Sequence, residues 1–469
     1  MSNSKTNLNS TTSITKYLAE CIESVRYDTL SEDVLAMAKK IILDGVANML
    51  AGSTQPLGEI LTRYVYSMKG IPTATVVGAN FKTSPPFAAY ANAAFSHSMD
   101  YEAMWWPPTH PTSPVLPALF ALAEHEGLSG KKIIEALVVG FEVQGRLNLC
   151  VDWIKEPYSY FHPPGTIGVM GSAAACSKLL NLDSWETRMA MGIAGSRTGG
   201  LWANTGTMTK SQHSANSARS GVECALLARA GYTSNEFIIE NKKGGFGQLI
   251  FGEGADLEAV IRDFGKPYRM VDPGIAIKKY PSQNTTHWSI DAALELKNRY
   301  NLKAVDINQV IIHVGYPNWS AHWPRPRTGL EGKFSIHYTV AVALLDGNVN
   351  IDSFTDERRF SPDIEEMLEK ISVKEDKSIP KALDFAQTWA TIEVTLKNGK
   401  IHQARCNRPR GRWDEPLTRE ELMVKFNDCA QRILCVADSN RVYDLIEGFD
   451  KLENISEMMF TLGQSPYTK

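Results

Sequence analysis

Apolar residues recur at helical spacing through most of residues 1–265. Ser31 suits the N-cap of a helix, and the apolar pattern that follows it ends near Gly52. Pro85 suits the first position of a second helix, because its missing N–H has no partner there in any case. Small and apolar residues after His162, and again over residues 212–228, predict two more closely packed helices. This part of the chain is therefore typical of a layered helical domain.

The pattern changes near residue 266 and changes back near residue 405. Residues 310–314 and 389–396 have the β-branched and partly alternating character of strands, and Asn398-Gly399 predicts a hairpin turn after the second one. Helical patterns lie between these strands, so the segment has an α+β character. The remaining residues return to helical spacing after Thr418.

These patterns predict a mostly α protein with a large helical domain and a second, smaller α+β domain. The helical domain is predicted to be discontinuous, over residues 19–265 and 406–469, with the α+β domain at 266–405 and a flexible tail at 1–18.

Composition excludes several classes of partner. A formal net charge of −3 gives no basic surface for nucleic acid, and no apolar run reaches the ~20 residues of a membrane span. The seven cysteines form no C-x-x-C pair, which is typical of reduced thiols. The polar N-terminus lacks a secretory core, so a cytoplasmic protein is expected, with organelle targeting as the alternative.

Familiar cofactor and nucleophile motifs do not occur. The chain has no Walker A sequence, no complete G-x-G-x-x-G, no G-x-S-x-G and no H-E-x-x-H. The sequence therefore predicts neither a metal site nor an organic cofactor.

The most unusual stretch runs from His97 to Pro111. If the helix continues, His97, Asp100 and Met104 share one face, at positions i, i+3 and i+7. His110 stands beside Pro111, which restricts the local backbone, and a rigid histidine near a carboxylate is a good general acid or base. The alternative is a helix end with a capping histidine.

Cationic candidates follow in three other segments. His162 begins a helix, where anions are favoured, or else is a polar turn residue. Lys210 and His213 lie on one face of a predicted helix and can hold a carboxylate, unless that end is solvated. Pro281 favours an extended chain before it, so of Lys278 and Lys279 one can face a cleft and the other water.

Taken together, these segments resemble the MmgE/PrpD family, which includes 2-methylcitrate dehydratases, cis-aconitate decarboxylases and an iminodisuccinate epimerase. The resemblance covers nearly the whole chain and rests on the order of residues 40–46, 97–100, 109–111, 162–168, 209–210, 244–246, 278–281, 408–411 and 417–426. It implies a helical domain with a lid, an active site in the cleft between them, a homodimer and no cofactor. The family's catalytic positions match Asp100, His110, His162, Lys210, Lys278 and Tyr316.

The chain departs from the family at residues that we expect to contact substrate. Met104 and Trp106 stand where polar residues are more usual, Gln283 where some decarboxylases have histidine, and Arg197 where a neutral residue is common. Together with His213, these residues are predicted to line the substrate-binding site. Met104 and Trp106 make that lining less polar, and Arg197 adds a cation to it.

The resemblance implies a cofactor-independent lyase for a small di- or tricarboxylic acid. A 2-methylcitrate dehydratase-like hydro-lyase is the leading prediction. Proton removal beside a carboxylate builds up charge that preorganised cations stabilise, which the lysines can supply. The alternatives are a cis-aconitate decarboxylase-like enzyme, a dicarboxylate isomerase or epimerase, and a catalytically silent carboxylate-binding protein.

Overall fold

The computed structural model describes residues 13–105, 109–151, 161–315, 323–380 and 387–465. Within them the chain is mostly helical, as predicted, with small sheets. The helices before residue 260 are α1 (Ile14–Ser24), α2 (Glu32–Ser53), α3 (Pro56–Ser67), α4 (Pro85–His97), α5 (Thr112–Glu126), α6 (Gly130–Leu147), α7 (Ile167–Leu179), α8 (Ser184–Gly195), α9 (Thr209–Arg229) and α10 (Phe246–Phe251). Those after it are α11 (His287–Tyr300), α12 (Gly329–Gly332), α13 (Ile336–Asp346), α14 (Asp356–Arg359), α15 (Pro362–Lys370), α16 (Arg419–Ala430), α17 (Val436–Glu447) and α18 (Ser456–Leu462).

Several helix starts follow from the capping residues seen in the sequence. The Ser31 hydroxyl accepts a hydrogen bond from the backbone of Val34 at the start of α2. Thr418 and Glu421 form a reciprocal capping box at the start of α16. These local bonds satisfy backbone N–H groups that have no partner within the helix.

The first apolar core joins the beginning of the chain to its end. It contains the buried faces of α1 to α9, continues through Met270 and Ile277, and is completed by α16, α17 and α18. Helices α4, α5, α7 and α9 pack against one another at its centre. No helix in the described ranges is both long and apolar enough to span a bilayer.

The second core consists of buried residues from the sequence range between Tyr280 and Ala404, and it is built on a four-stranded sheet. The strands of the structure are β1 (Ala74–Thr75), β2 (Lys82–Thr83), β3 (Ile307–Val314), β4 (Ile371–Glu375), β5 (Ala390–Leu396) and β6 (Ile401–Cys406). The large sheet has the order β4-β3-β5-β6, with β3 parallel to β4 and the other pairs antiparallel. The predicted turn at Asn398-Gly399 connects β5 to β6, and Gly399 has a φ of +82°. The domain limits stay a prediction.

One sequence expectation about the candidate site is wrong. Helix α4 ends at His97, and Asp100 has a left-handed φ of +51°, so His97, Asp100 and Met104 do not share a helical face. The Met104 backbone instead exchanges two hydrogen bonds with Ala276, each 2.9 Å long. The helix therefore stops before the i+3 and i+7 positions, and the chain after it pairs with the segment at Ala276.

Glycines set how closely the central helices approach. A Cβ atom on Gly221 of α9 would lie 2.7 Å from the backbone carbon of Ser172 in α7. Backbone cannot move aside as easily as a side chain can, so α7 and α9 need glycine at this position.

We expect Gly221→Ala to destabilise the fold by about 1–3 kcal/mol, as overpacking does in close-packed cores. The matched control is Gly448→Ala, because a Cβ there meets no atom closer than 3.5 Å and the φ of −92° suits alanine. Thermal unfolding followed by circular dichroism compares the two variants. Equal melting temperatures for both would contradict the packing argument.

Candidate active site

The carboxylate of Asp100 lies at the centre of the candidate site. It belongs to the turn that follows α4, where its left-handed backbone is one that aspartate tolerates better than most residues. Its side chain is buried between two ammonium groups, those of Lys210 and Lys278. Burying an unpaired carboxylate is very costly, so these two cations stabilise both the ionised state and the turn.

The pKa of Asp100 follows from this pairing. Burial alone would raise it, but the charges of Lys210 and Lys278 outweigh burial and hold the pKa well below its usual range. Asp100 is therefore an anion throughout the neutral pH range, and it is a poor proton donor.

The two lysines differ in how many hydrogen bonds they have left to give. Lys278 donates to the Asp100 side chain, to the Asp100 carbonyl at 2.9 Å and to the Ser282 carbonyl at 3.0 Å, which uses all three of its N–H groups. Among the described residues, Lys210 donates to Asp100 Oδ2 at 3.0 Å and to no second acceptor. Of these two lysines, Lys210 is thus the one with N–H groups available for a bound anion within the described part of the chain.

Helix α9 and the loop before α11 position these cations. Lys210 stands in the first turn of α9, one helical turn before His213, and both side chains are buried. Lys278 is buried, whereas its neighbour Lys279 is about one-third exposed and pairs with Glu421. The two adjacent lysines therefore lie in different environments.

Four histidine rings form a cluster that reaches the carboxylate at His110. The ring centroids of His97 and His110 are 4.8 Å apart, those of His97 and His162 are 5.4 Å apart, and those of His162 and His213 are 5.3 Å apart. The Nδ1 atoms of His162 and His213 lie 3.1 Å apart, so one of them donates a hydrogen bond to the other. A chain of imidazoles thus leads from His213 to the buried His97.

Burial and the neighbouring lysines keep these rings neutral. Burial, followed by the charges of Lys278 or Lys210, lowers the pKa of His110 and of His162 well below the usual value. Burial and the charges of His97 and Lys210 lower the pKa of His213 to about 4. A neutral imidazole has one donor and one acceptor nitrogen, which suits proton transfer near pH 7.

Glu102 and His97 form a second buried pair that sequence reasoning did not assign to the site. The Glu102 carboxylate accepts hydrogen bonds from the Ser113 hydroxyl at 2.7 Å and the Ser113 amide at 2.8 Å, and it contacts His97 Nδ1. His110 lies between this carboxylate and Asp100, at 3.7 Å from each. The signal in the sequence was a second acidic residue two positions after Asp100 in the same loop.

Three of these side chains have the composition of a metal site. His97, Glu102 and His110 have ligand atoms within 4.8 Å of one another, and two histidines with a carboxylate are a common metal-binding set. However, both Glu102 oxygens already accept hydrogen bonds from Ser113. Burial and the charge of Lys210 both lower the pKa of His97, so a positive charge already acts on this ring. The donor set therefore does not suit a cation.

The other predicted residues are distributed differently. Met104 is buried in an apolar cluster with Ala276, Trp288 and Ala390. Arg197 forms an ion pair with Glu223, and Arg219 binds the other oxygen of that carboxylate at 2.8 Å. This pairing, and not the histidine cluster, accounts for the Arg197 side chain in the described structure.

The remaining predictions concern Gln283, Trp106 and Tyr316. The backbone N–H of Gln283 donates to the backbone carbonyl of Lys333 at 2.9 Å, next to the loop that carries Lys278. Trp106 and Tyr316 lie outside the described residues.

Comparison with known proteins identifies the family of this chain. The MmgE/PrpD N-terminal domain matches residues 16–258, and the MmgE/PrpD C-terminal domain matches residues 280–450. Cis-aconitate decarboxylase of Homo sapiens is 31% identical over 467 residues, which cover 97% of this chain and 95% of the relative. Cis-aconitate decarboxylase of Mus musculus is 31% identical and covers 95% and 92% of the two chains.

A more distant relative is the mitochondrial 2-methylcitrate dehydratase of Yarrowia lipolytica, 25% identical over 71% of this chain and 67% of its own. The relatives are named for decarboxylation and dehydration, which are both lyase reactions. The chain therefore belongs to the MmgE/PrpD family and is a lyase of that family.

Proposed function

We propose that this lyase removes carbon dioxide from cis-aconitate or a close unsaturated tricarboxylate, without a metal or organic cofactor. The observation that carries the proposal is the buried group of Lys210, Lys278 and neutral histidines around Asp100. The sequence alone favours dehydration, but the relatives that match nearly the whole chain are named as decarboxylases. Dehydration of a 2-methylcitrate-like acid is the second candidate, supported by the Yarrowia relative.

The chemistry of decarboxylation suits these residues. When the CH₂–CO₂⁻ bond of cis-aconitate breaks, its electron pair forms a new C=C bond to the central carbon. The old C=C pair then takes a proton at the carbon beside the remaining carboxylate. Charge gathers on that carboxylate before the proton arrives, and a preorganised ammonium group stabilises it. The product is a dicarboxylate with a terminal methylene group.

Lys210 and the histidines take separate roles in this proposal. Lys210, with N–H groups to spare, binds the carboxylate on which charge develops. His110 or His162 delivers the proton, since His110 lies 3.7 Å from Asp100 and the charge of Lys210 acts on both rings. Asp100 stays ionised and holds the two lysines in place. Gln283 and His213 remain proposed substrate contacts, and Met104, Trp106, Arg197 and Tyr316 remain predictions.

The assembly and location of the protein are also proposals. We retain a homodimer in the cytoplasm as the prediction, and the mitochondrial relative supports organelle targeting as its alternative. The partner that the site supports is a small carboxylic acid, because its buried cations suit carboxylate groups.

Proton NMR in D₂O identifies the reaction. After chelator treatment, the wild-type protein is incubated separately with cis-aconitate, 2-methylcitrate, citrate and iminodisuccinate. We expect loss of carbon dioxide from cis-aconitate, with one deuterium in the new CH₂ group, and no product from the His110→Ala variant. If 2-methylcitrate loses water and cis-aconitate does not react, the activity is a dehydration and not a decarboxylation. Deuterium exchange without net loss would point to an isomerase.

Removal of the available cation tests the proposed role of Lys210. We expect Lys210→Met to lower kcat/KM by about 10²–10³-fold, the cost of losing one donor to a developing anion. Lys178→Met is the control, because Lys178 is also buried and binds the Glu23 carbonyl at 3.0 Å, away from the site. Initial rates on the substrate that NMR identifies give the comparison. Equal losses in both variants would show a general effect on folding.

Proton uptake on binding follows from the lowered histidine pKa values. An arriving polyanion offsets the lysine charges that keep His110 and His162 neutral, so the pKa of each ring rises toward neutrality. We expect binding at pH 7 to take up on the order of one proton. Isothermal titration in buffers of different ionisation enthalpy measures it, with the product dicarboxylate as a stable ligand. Identical heats in every buffer would contradict this electrostatic account.

A further inference from the structure

Three buried lysines connect the turn that carries Asp100 to the loop that carries Lys278. The turn consists of residues 99–101, and the loop consists of residues 278–282. Lys278, Lys333 and Lys425 each donate to one carbonyl of the turn and to one carbonyl of the loop. We call these three residues the lysine clamp.

Each lysine of the clamp binds the carbonyl of a different residue in the turn. The carbonyl of Met99 accepts from Lys333 at 3.1 Å, that of Asp100 accepts from Lys278 at 2.9 Å, and that of Tyr101 accepts from Lys425 at 2.7 Å. Three consecutive carbonyls are thus held by three ammonium groups from different parts of the chain. Irregular buried backbone needs such donors, because it has no ladder of its own.

The second set of bonds goes to the loop. Lys333 donates to the Pro281 carbonyl at 3.2 Å, and Lys425 donates to the Lys278 carbonyl at 2.8 Å. Lys425 also pairs with the buried Asp44, which ties the clamp to α2. The separation of turn and loop is therefore set by three short cationic bridges.

Lys333 is the member of the clamp with the simplest role. Its ammonium group binds the Met99 and Pro281 carbonyls and lies 4.5 Å from the centre of the Phe354 ring. It makes no hydrogen bond to the Asp100 side chain among the described residues, unlike Lys278. Its hydrogen bonds therefore act on the site through the backbone of the turn and the loop.

We propose that Lys333 is a positioning residue, which sets the distance between Asp100 and Lys278 through the carbonyls of Met99 and Pro281. The left-handed backbone of Asp100 persists only where its surroundings hold it, and Lys333 bonds to the residue directly before it. The proposal rests on the proposed function for its kinetic consequence and on the contacts alone for its structural one.

The charge of Lys333 is sensitive to its surroundings. Burial lowers its pKa to about 7, Asp100 raises it, and Lys278, Lys210 and Arg432 lower it. The ammonium form has three donors and a full charge, and it is lost as pH rises through about 7. The loss of activity on the basic side of the pH profile then includes the deprotonation of Lys333.

The test compares Lys333→Met with Lys297→Met. Lys297 has the same chemistry in the second core, where it donates to the carbonyls of Leu344 at 2.6 Å and Leu345 at 3.2 Å, away from Asp100. Both variants lose a lysine that bridges two carbonyls, so both should be less stable. Only Lys333→Met should move the catalytic groups.

We expect Lys333→Met to lower kcat by about 10²-fold with KM within about threefold, since a misplacement of about 1 Å has that cost. Its pH profile should lose the ionisation near 7. Lys297→Met should keep kcat and the profile of the wild type. If Lys333→Met does not fold, Lys333→Gln, which keeps two donors without the charge, is used in its place and should show the same loss of the ionisation.

Hydrogen–deuterium exchange supplies a readout that does not need turnover. Peptides that contain residues 99–101 and 278–282 should exchange faster in Lys333→Met and at the wild-type rate in Lys297→Met. Absence of wild-type activity on every acid would overturn the proposed function and leave this comparison intact. Unchanged exchange in both segments, or equal kinetic losses in the two variants, would overturn the role of Lys333.

Discussion

A carboxylate buried without water must be neutralised by charges that the fold supplies, and Asp100 imposes this constraint on the whole molecule. Its two cations come from the first turn of α9 and from the loop at Lys278. Each of them would be costly to bury alone, as Asp100 would be. The packing of the helical core and the course of the chain after it are thus linked by one electrostatic requirement.

In the proposed mechanism, charge stabilisation and proton transfer are divided between different residue types. The lysines carry the positive charge, and that charge together with burial keeps His110 and His162 neutral. Neutral imidazoles each keep one donor and one acceptor nitrogen in the unliganded site without adding a further buried cation there. A site built with more positive histidines would have to offset additional charge in the same buried space.

Much of the fold was predictable because its determinants are local. Ser31, Pro85 and Thr418 mark helix starts that depend on neighbouring residues alone, and Asn398-Gly399 marks a turn in the same way. Lys333 and Lys425 carried no such signal, because an isolated lysine usually indicates a solvated surface. Arg197 was assigned to the site because a neutral residue is common at its position in the family, whereas its partner Glu223 lies on α9 and only tertiary structure identifies it.

The three-carbonyl turn between Met99 and Tyr101 also limits how members of this family can exchange parts. The two matched family segments end at residue 258 and begin again at residue 280, and Lys278 lies in the interval between them. A chimera joined in that interval takes Asp100 from one parent and Lys333 from the other. Recombination there is compatible with function only when both parents place the same bridging cations at the same backbone positions.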